Sequence, residues 1–112
     1  MYTVVEHGHY LAKAQKMLSK EQMSEIVDAV ASDADIGEVM SGTGGLRKFR
    51  YAANTGRGKS AGARVVYIAL VGDGEIHLID IFKKNEKMNL SDADKKMLSQ
   101  LVKELKSQRR QK

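Results

Sequence analysis

The stretch that decides the fold is RVVYIALVGDGEIHLIDIFK, residues 64–83. It contains two runs rich in β-branched residues, Arg64–Val71 and Glu75–Lys83, separated by Gly72-Asp73-Gly74. An Asp-Gly pair between two such runs is typical of the tight turn of a β-hairpin. The sequence therefore predicts two antiparallel strands, and the rest of the chain is expected to pack on them.

The N-terminal region is predicted to form one strand followed by two helices. Aromatic and β-branched residues favour an extended conformation over Met1–His7, and Gly8 breaks this strand. Apolar residues at helical spacing predict a helix over Tyr10–Leu18. A second helix begins at Ser19, which forms a capping-box pattern with Gln22. Residues 1–40 hold seven acidic and three basic side chains, so this half is expected to lie away from any nucleic acid.

The remaining elements complete a mixed fold. After a connection over Ser32–Met40, glycines allow a tight turn before a strand over Leu46–Tyr51. A polar loop over Ala53–Ala61 leads into the hairpin. Ser91 is expected to cap a last helix, whose apolar stripe ends at Leu105. The order of elements predicts one α+β domain over residues 1–112.

Positive charge is concentrated in residues 41–67, which hold six basic residues and no acidic one. The rest of the chain carries 13 Lys and Arg against 14 Asp and Glu. Clustered cations repel one another, and nucleic-acid phosphate is their natural counter-ion. Strand alternation places Lys48 and Arg50 on one face, with Phe49 and Tyr51 on the other. The pattern predicts a polyanion-binding face; the alternative is that these cations are ordinary solvated strand residues.

Several classes of protein are disfavoured. The chain has no cysteine, which excludes a disulfide framework and a thiol nucleophile and agrees with a reducing cytosol. No apolar run approaches the length of a membrane span. The string ANTGRGKS at 53–60 ends like a P-loop, but a strand follows where a helix is required. His7, His9 and His77 are scattered without carboxylates at ligand spacing. We therefore expect a cytoplasmic protein without membrane contact, metal or cofactor.

Three strings resemble the RelE/ParE superfamily of bacterial type II toxins, and most closely its HigB-like branch. They are GTGGLRKFRY at 42–51, GRGKSAGARVVYI at 56–68 and KKNEKMNLSDADKK at 83–96. The family fold has two N-terminal helices and a C-terminal helix packed on a small, mainly antiparallel twisted sheet. RelE-like toxins are ribosome-dependent endoribonucleases that cut mRNA in the A site. The resemblance implies an mRNA interferase that inhibits translation, neutralised by a cognate antitoxin, which is expected to be a DNA-binding helix-turn-helix protein.

The resemblance also implies a set of functional residues. Four positions match the family's catalytic cations: Lys48, Arg50, Arg64 and Lys84. Four more cations are predicted to bind RNA: Arg47, Arg57, Lys59 and Lys83. The aromatic residue that some members place just after the last basic position is missing here.

Chemistry supports this assignment without the family. Cleavage of RNA by the neighbouring 2′-hydroxyl needs a proton acceptor, a proton donor and cations on the phosphate. A lysine crowded by other cations gives up its proton more readily, so Lys48 or Lys84 is the expected base. Arg50 and Arg64 offer planar, bidentate phosphate contacts.

Two alternatives stay open at this point. The first is a ParE-like toxin that inhibits gyrase by binding alone, and the second is an RNA-binding regulator without catalysis. The basic strand pair of Lys48 and Arg50 favours the interferase, because gyrase binding does not require it.

Overall fold

A computed structural model of the chain describes residues 2–52, 62–83 and 92–110. It shows strands and helices packed as one α+β fold, which confirms the predicted fold class. In chain order the elements are β1 (Thr3–Glu6), α1 (Gly8–Met17), α2 (Lys20–Ser32), β2 (Glu38–Val39), β3 (Arg47–Ala52), β4 (Gly62–Leu70), β5 (Glu75–Lys83) and α3 (Asp92–Arg110). Helix α2 begins with the predicted capping box, because Ser19 Oγ accepts the Gln22 N–H at 3.1 Å and Gln22 Oε1 accepts the Ser19 N–H at 2.8 Å.

The strands form one sheet in the order β1-β5-β4-β3-β2. Strand β1 pairs parallel with β5, and the other neighbours pair antiparallel, as a mainly antiparallel sheet requires. The central β4-β5 hairpin turns through a short 3-10 turn, Val71–Asp73, followed by Gly74. Gly74 has φ +67°, a left-handed conformation that favours glycine. The hairpin prediction is confirmed.

Several predicted boundaries differ from the structure by one or two residues, and two differences change the reading of the fold. Gly8 was predicted only to break the first strand, but it is the first residue of α1. A helix can begin at this residue because the first N–H groups of any helix have no hydrogen-bond partner within the helix. The predicted connection Ser32–Met40 contains β2, which pairs antiparallel with the start of β3. A two-residue strand is too short to show the alternation on which strand prediction depends.

Both faces of the sheet are buried, but to different extents. On the first face, α1 and α2 cover apolar side chains of the three central strands, including Phe49, Tyr51, Val65, Tyr67, Leu78 and Ile81. On the second face, α3 contributes Val102 and Leu105 to a smaller cluster that includes Val66, Ile68, Leu70 and Ile79. No helix in the described ranges is long and apolar enough to cross a membrane.

A β-bulge interrupts β5. Tyr67 pairs with Leu78 and Val66 pairs with Asp80, so Ile79 is an extra residue without a partner on β4. A one-residue insertion reverses which side chains face each side of a sheet. In β5, even-numbered residues just before Ile79 therefore face one side of the sheet, and even-numbered residues after it face the other.

The change of parity decides the surroundings of the last residues of β5. Uninterrupted alternation from Leu78 would direct Asp80 into the core beneath α1 and α2. In the structure Ile81 enters that core instead, while Asp80 and Phe82 pair with residues whose side chains lie on the second face.

Candidate functional site

The second face has an open end beyond the α3 cluster, and three cations lie there: Lys48 and Arg50 from β3 and Arg64 from β4. Arg50 pairs directly with Arg64, and Lys48 pairs with Val66. Directly paired residues project to the same face with Cβ atoms about 4.5–5.5 Å apart. A depression of about 590 Å³ at this end is lined by Ile36, Glu38, Lys48, Phe49, Arg50 and Arg64. The predicted shared face of Lys48 and Arg50 is confirmed.

Within the described residues, none of these three cations forms an ion pair with a carboxylate, since no carboxylate oxygen pairs with Lys48, Arg50 or Arg64 within 4.0 Å. Like charges directly opposite each other destabilise a sheet. Glu38 pairs with Lys48 across β2 and β3 and is the acidic residue lining the depression. The arrangement favours an external anion as the partner of Arg50 and Arg64.

Two other predicted RNA-binding residues have different surroundings. Arg47 donates from Nη1 to the Gly37 carbonyl oxygen at 2.6 Å, and its Nη2 lies 3.2 Å from Asp35 Oδ1. Its guanidinium thus ties β3 to the segment before β2, and its contact with RNA stays a prediction. Lys83 is exposed at the end of β5, paired with Ala63. The remaining predicted site residues lie outside the described residues: Arg57, Lys59 and Lys84.

Tyr67 holds the segment that borders the depression. Its buried hydroxyl donates to the Ala34 carbonyl oxygen at 2.8 Å and accepts the Gly37 N–H at 2.9 Å. Burial raises the pKa of this hydroxyl, so it remains a donor. A Cβ at Gly37 would lie 2.6 Å from the Lys48 carbonyl oxygen. This close approach sets Ile36 and Glu38 beside the cations, and sequence reasoning missed it because the segment shows no periodic pattern.

A buried threonine fixes the turn that leads into β3. The Thr43 hydroxyl donates to the Met40 carbonyl oxygen at 2.6 Å and accepts the Leu46 N–H at 3.2 Å. Gly44, at φ +78°, has its carbonyl oxygen 3.2 Å from Lys106 Nζ of α3. The predicted glycine turn is confirmed, and it joins α3 to the strand that carries Lys48 and Arg50.

The α1 edge of the same face carries a group that sequence reasoning missed. Asp80 Oδ1 accepts from Lys13 Nζ at 2.8 Å and lies 3.2 Å from His9 Nε2. Lys13 Nζ also lies 4.1 Å from the centroid of the Phe82 ring, and Phe82 pairs with Arg64. The spacing of His9 and Lys13, four residues apart on one helix face, was a visible signal. Its connection to Asp80 depends on the bulge and was not visible.

A second histidine group lies between β1 and β5. His7 Nε2 and His77 Nδ1 are 2.8 Å apart, and His77 Nε2 lies 3.2 Å from Glu75 Oε1. Burial, and to a lesser extent the charge of His77, lower the pKa of His7. Across the described ranges, no three His, Cys, Asp or Glu side chains are grouped so as to hold a metal ion.

An open sheet face whose Lys and Arg side chains form no ion pair within the described residues is suited to an anionic ligand such as a phosphate. A family model described as the RelE toxin of the RelE/RelB toxin-antitoxin system matches residues 7–112. The chain therefore belongs to the RelE toxin family. The resemblance found in the sequence and the prediction of a toxin are confirmed, and the ParE-like alternative finds no support in these comparisons.

Solved structures of E. coli proteins share the fold. A double arginine-to-alanine mutant of the toxin RelE in the free state is 20% identical, with a TM-score of 0.56 over 75% of this chain and 84% of that chain. A chain of the intact RelBE toxin-antitoxin complex is 19% identical, with a TM-score of 0.57 over 77% and 100%. The isolated toxin RelE is 20% identical, with a TM-score of 0.56 over 88% and 100%. The predicted RelE-like fold is confirmed.

Proposed function

We propose that this chain is a single-domain, metal-independent endoribonuclease that cleaves mRNA in the ribosomal A site and thereby stops translation in the cytoplasm. Family membership supports the class of reaction. The observation that carries the proposal is the convergence of Lys48, Arg50 and Arg64 on one open face, with no carboxylate paired to them in the described residues. The positive charge of such a site is balanced only when an anion is bound.

Each cation has a role in the proposed reaction. Arg50 and Arg64 face each other across β3 and β4, so two guanidinium groups can bind the non-bridging oxygens of one phosphodiester. Their charge stabilises the phosphorane transition state more than the ground state, because negative charge increases on those oxygens during attack. Lys48 or Lys84 accepts the proton of the attacking 2′-hydroxyl. Arg47, Arg57, Lys59 and Lys83 contact the flanking phosphates.

The shape of the site supports a dependence on the ribosome. The depression is open, and among the described residues that line it Phe49 is the one aromatic side chain. A catalyst that binds the phosphate but not the bases needs another body to align the 2′-hydroxyl with the departing oxygen. The ribosome supplies that alignment in this proposal, and cleavage of free RNA is expected to be much slower.

We also propose a cognate antitoxin as the protein partner, of the DNA-binding helix-turn-helix type. One of the solved structures with this fold comes from an intact toxin-antitoxin complex. An antitoxin segment with acidic and apolar side chains would complement the open end, which combines cations with Ile36 and Phe49. Such a segment would compete with RNA for Arg50 and Arg64.

Sequencing of RNA ends after induced expression tests the proposed function. We expect new ends inside translated codons, and radiolabelled methionine incorporation that falls before thymidine incorporation. Cleavage on programmed ribosomes by protein that has been treated with EDTA and then dialysed free of the chelator tests independence from a bound metal ion. Earlier loss of thymidine incorporation would indicate a gyrase inhibitor, and arrest of translation without new RNA ends would indicate a non-catalytic regulator.

A further inference from the structure

A carboxylate borders the cations of the depression on the second face. Glu38 lines this depression together with Lys48, Arg50 and Arg64. It pairs directly with Lys48 across β2 and β3, so the two side chains project to the same face with Cβ atoms about 4.5–5.5 Å apart. Arg50 is the diagonal neighbour of Glu38, about 7–8 Å away. The Glu38 side chain is exposed, and it forms no ion pair within the described residues.

The backbone that carries Glu38 is held firmly against β3. The Gly37 N–H donates to the Tyr67 hydroxyl at 2.9 Å, and the Gly37 carbonyl oxygen accepts from Arg47 Nη1 at 2.6 Å. A Cβ at Gly37 would lie 2.6 Å from the Lys48 carbonyl oxygen, so this close approach requires glycine. Both polar backbone groups of the residue before Glu38 are thus bound by side chains. The Glu38 carboxylate therefore extends from a fixed point beside the cations.

The two sides of the depression differ in charge. A phosphate held by Arg50 and Arg64 would have Phe82 on its β5 side, because Phe82 pairs with Arg64. On its β2 side the phosphate would face Glu38, at about 8 Å given the diagonal spacing of Glu38 and Arg50. Repulsion between two unit negative charges at this distance weakens binding by about 2-fold in water and by about 30-fold at the lower effective dielectric constant near a protein surface. Glu38 therefore opposes the binding of an anion at this site.

We propose that Glu38 is a specificity-determining residue that keeps the binding of free RNA weak; this inference rests on the proposed function. A free RNA strand has to bind through the cations alone, so its affinity falls by the full repulsion from Glu38. An mRNA in the A site is held in place by the ribosome, and its cleavage depends far less on that affinity. The carboxylate thus favours RNA that the ribosome presents over RNA in solution.

A purely structural role for Glu38 predicts a different result. Opposite charges that pair directly across two strands stabilise a sheet, and Glu38 pairs in this way with Lys48. In a structural role, loss of the carboxylate lowers the free energy of unfolding and leaves RNA binding unchanged or weaker. In the proposed role, loss of the carboxylate tightens RNA binding. The sign of the change in affinity therefore separates the two roles.

The test compares the affinities of the wild type and three variants for a single-stranded 2′-O-methyl RNA, which is not cleaved because it lacks the attacking hydroxyl. The variants are Glu38→Gln, Glu21→Gln and Arg64→Ala. Glu21→Gln is the matched control, because it also removes one negative charge, but from an exposed position in the first turn of α2. At low salt we expect Glu38→Gln to bind between about 2-fold and 30-fold more tightly than the wild type. The control should bind like the wild type, and Arg64→Ala should bind more weakly.

Salt and cleavage give two further readouts. The gain in affinity of Glu38→Gln should disappear near 1 M salt, where the Debye length is about 3 Å. On programmed ribosomes this variant should cleave at least as fast as the wild type.

Four results would overturn the inference. Unchanged or weaker RNA binding by Glu38→Gln would do so, and a lowered urea midpoint alongside it would indicate the structural role. An equal gain for Glu21→Gln would show an effect of net charge alone, a gain that persists at 1 M salt would not be electrostatic, and slower cleavage on the ribosome would place Glu38 in the chemistry. If the wild type does not cleave on the ribosome, the proposed function fails, while the binding measurement still decides whether Glu38 opposes RNA binding.

Discussion

Arg64 is the residue whose loss should separate catalysis from folding most clearly. It is half-buried, lies directly opposite Arg50, and has no carboxylate ion pair in the described residues. Arg64→Ala therefore removes no ion pair from the described fold, and it relieves a like-charge pairing with Arg50. We expect the free energy of unfolding to change by less than about 1 kcal/mol.

The expected effect on the reaction is much larger. Removing one preorganised donor to a transition-state oxyanion costs about 2.7–4 kcal/mol, which corresponds to about 10²–10³ in rate. Arg64→Ala should lower the single-turnover rate of mRNA cleavage by this factor. Arg64→Lys should recover only part of the rate, because an ammonium cannot reproduce the two parallel hydrogen bonds of a guanidinium.

The assay is single-turnover cleavage on programmed ribosomes, with urea unfolding of each variant alongside. Lys20→Ala is the matched control, since it also removes one positive charge, but from an exposed position at the start of α2, on the first face. The control should cleave at the wild-type rate. Wild-type cleavage by Arg64→Ala would remove this arginine from the site, and a large loss of stability would make it a structural residue.

Three further predictions concern stability and binding. Tyr67→Phe should lower the free energy of unfolding by about 1–3 kcal/mol in urea, because the Gly37 N–H and the Ala34 carbonyl lose a buried partner; an unchanged midpoint would contradict this. The pKa of His7 is lowered from 6.5, so neutral His7 should stabilise the fold fully above pH 6.5, and this stabilisation should be lost as the pH falls through the lowered pKa. Urea midpoints measured between pH 8 and pH 5 should therefore fall more for the wild type than for His7→Gln. Antitoxin affinity should weaken with salt if the open end is covered, and protection from hydrogen exchange confined to α1 and α2 would show another mode of inhibition.

The sequence predicted those parts of the site that depend on local patterns. Alternation in β3 separated Lys48 and Arg50 from the apolar side chains between and after them, and the structure shows the same separation. The Asp-Gly turn identified the hairpin of β4 and β5, whose first strand carries Arg64. Register was not predictable, because the direct pairing of Arg50 with Arg64 depends on how two strands align across an intervening loop.

The bulge at Ile79 shows why the rest of the site was not predictable. Regular alternation would direct Asp80 into the core with Leu78, and an isolated carboxylate there would cost several kcal/mol. A bulge sacrifices about one ladder hydrogen bond, worth about 0.5–1.5 kcal/mol, and buries Ile81 in that core instead. The bulge is therefore the cheaper solution, and it leaves Asp80 on the second face, where Lys13 and His9 from α1 reach its carboxylate.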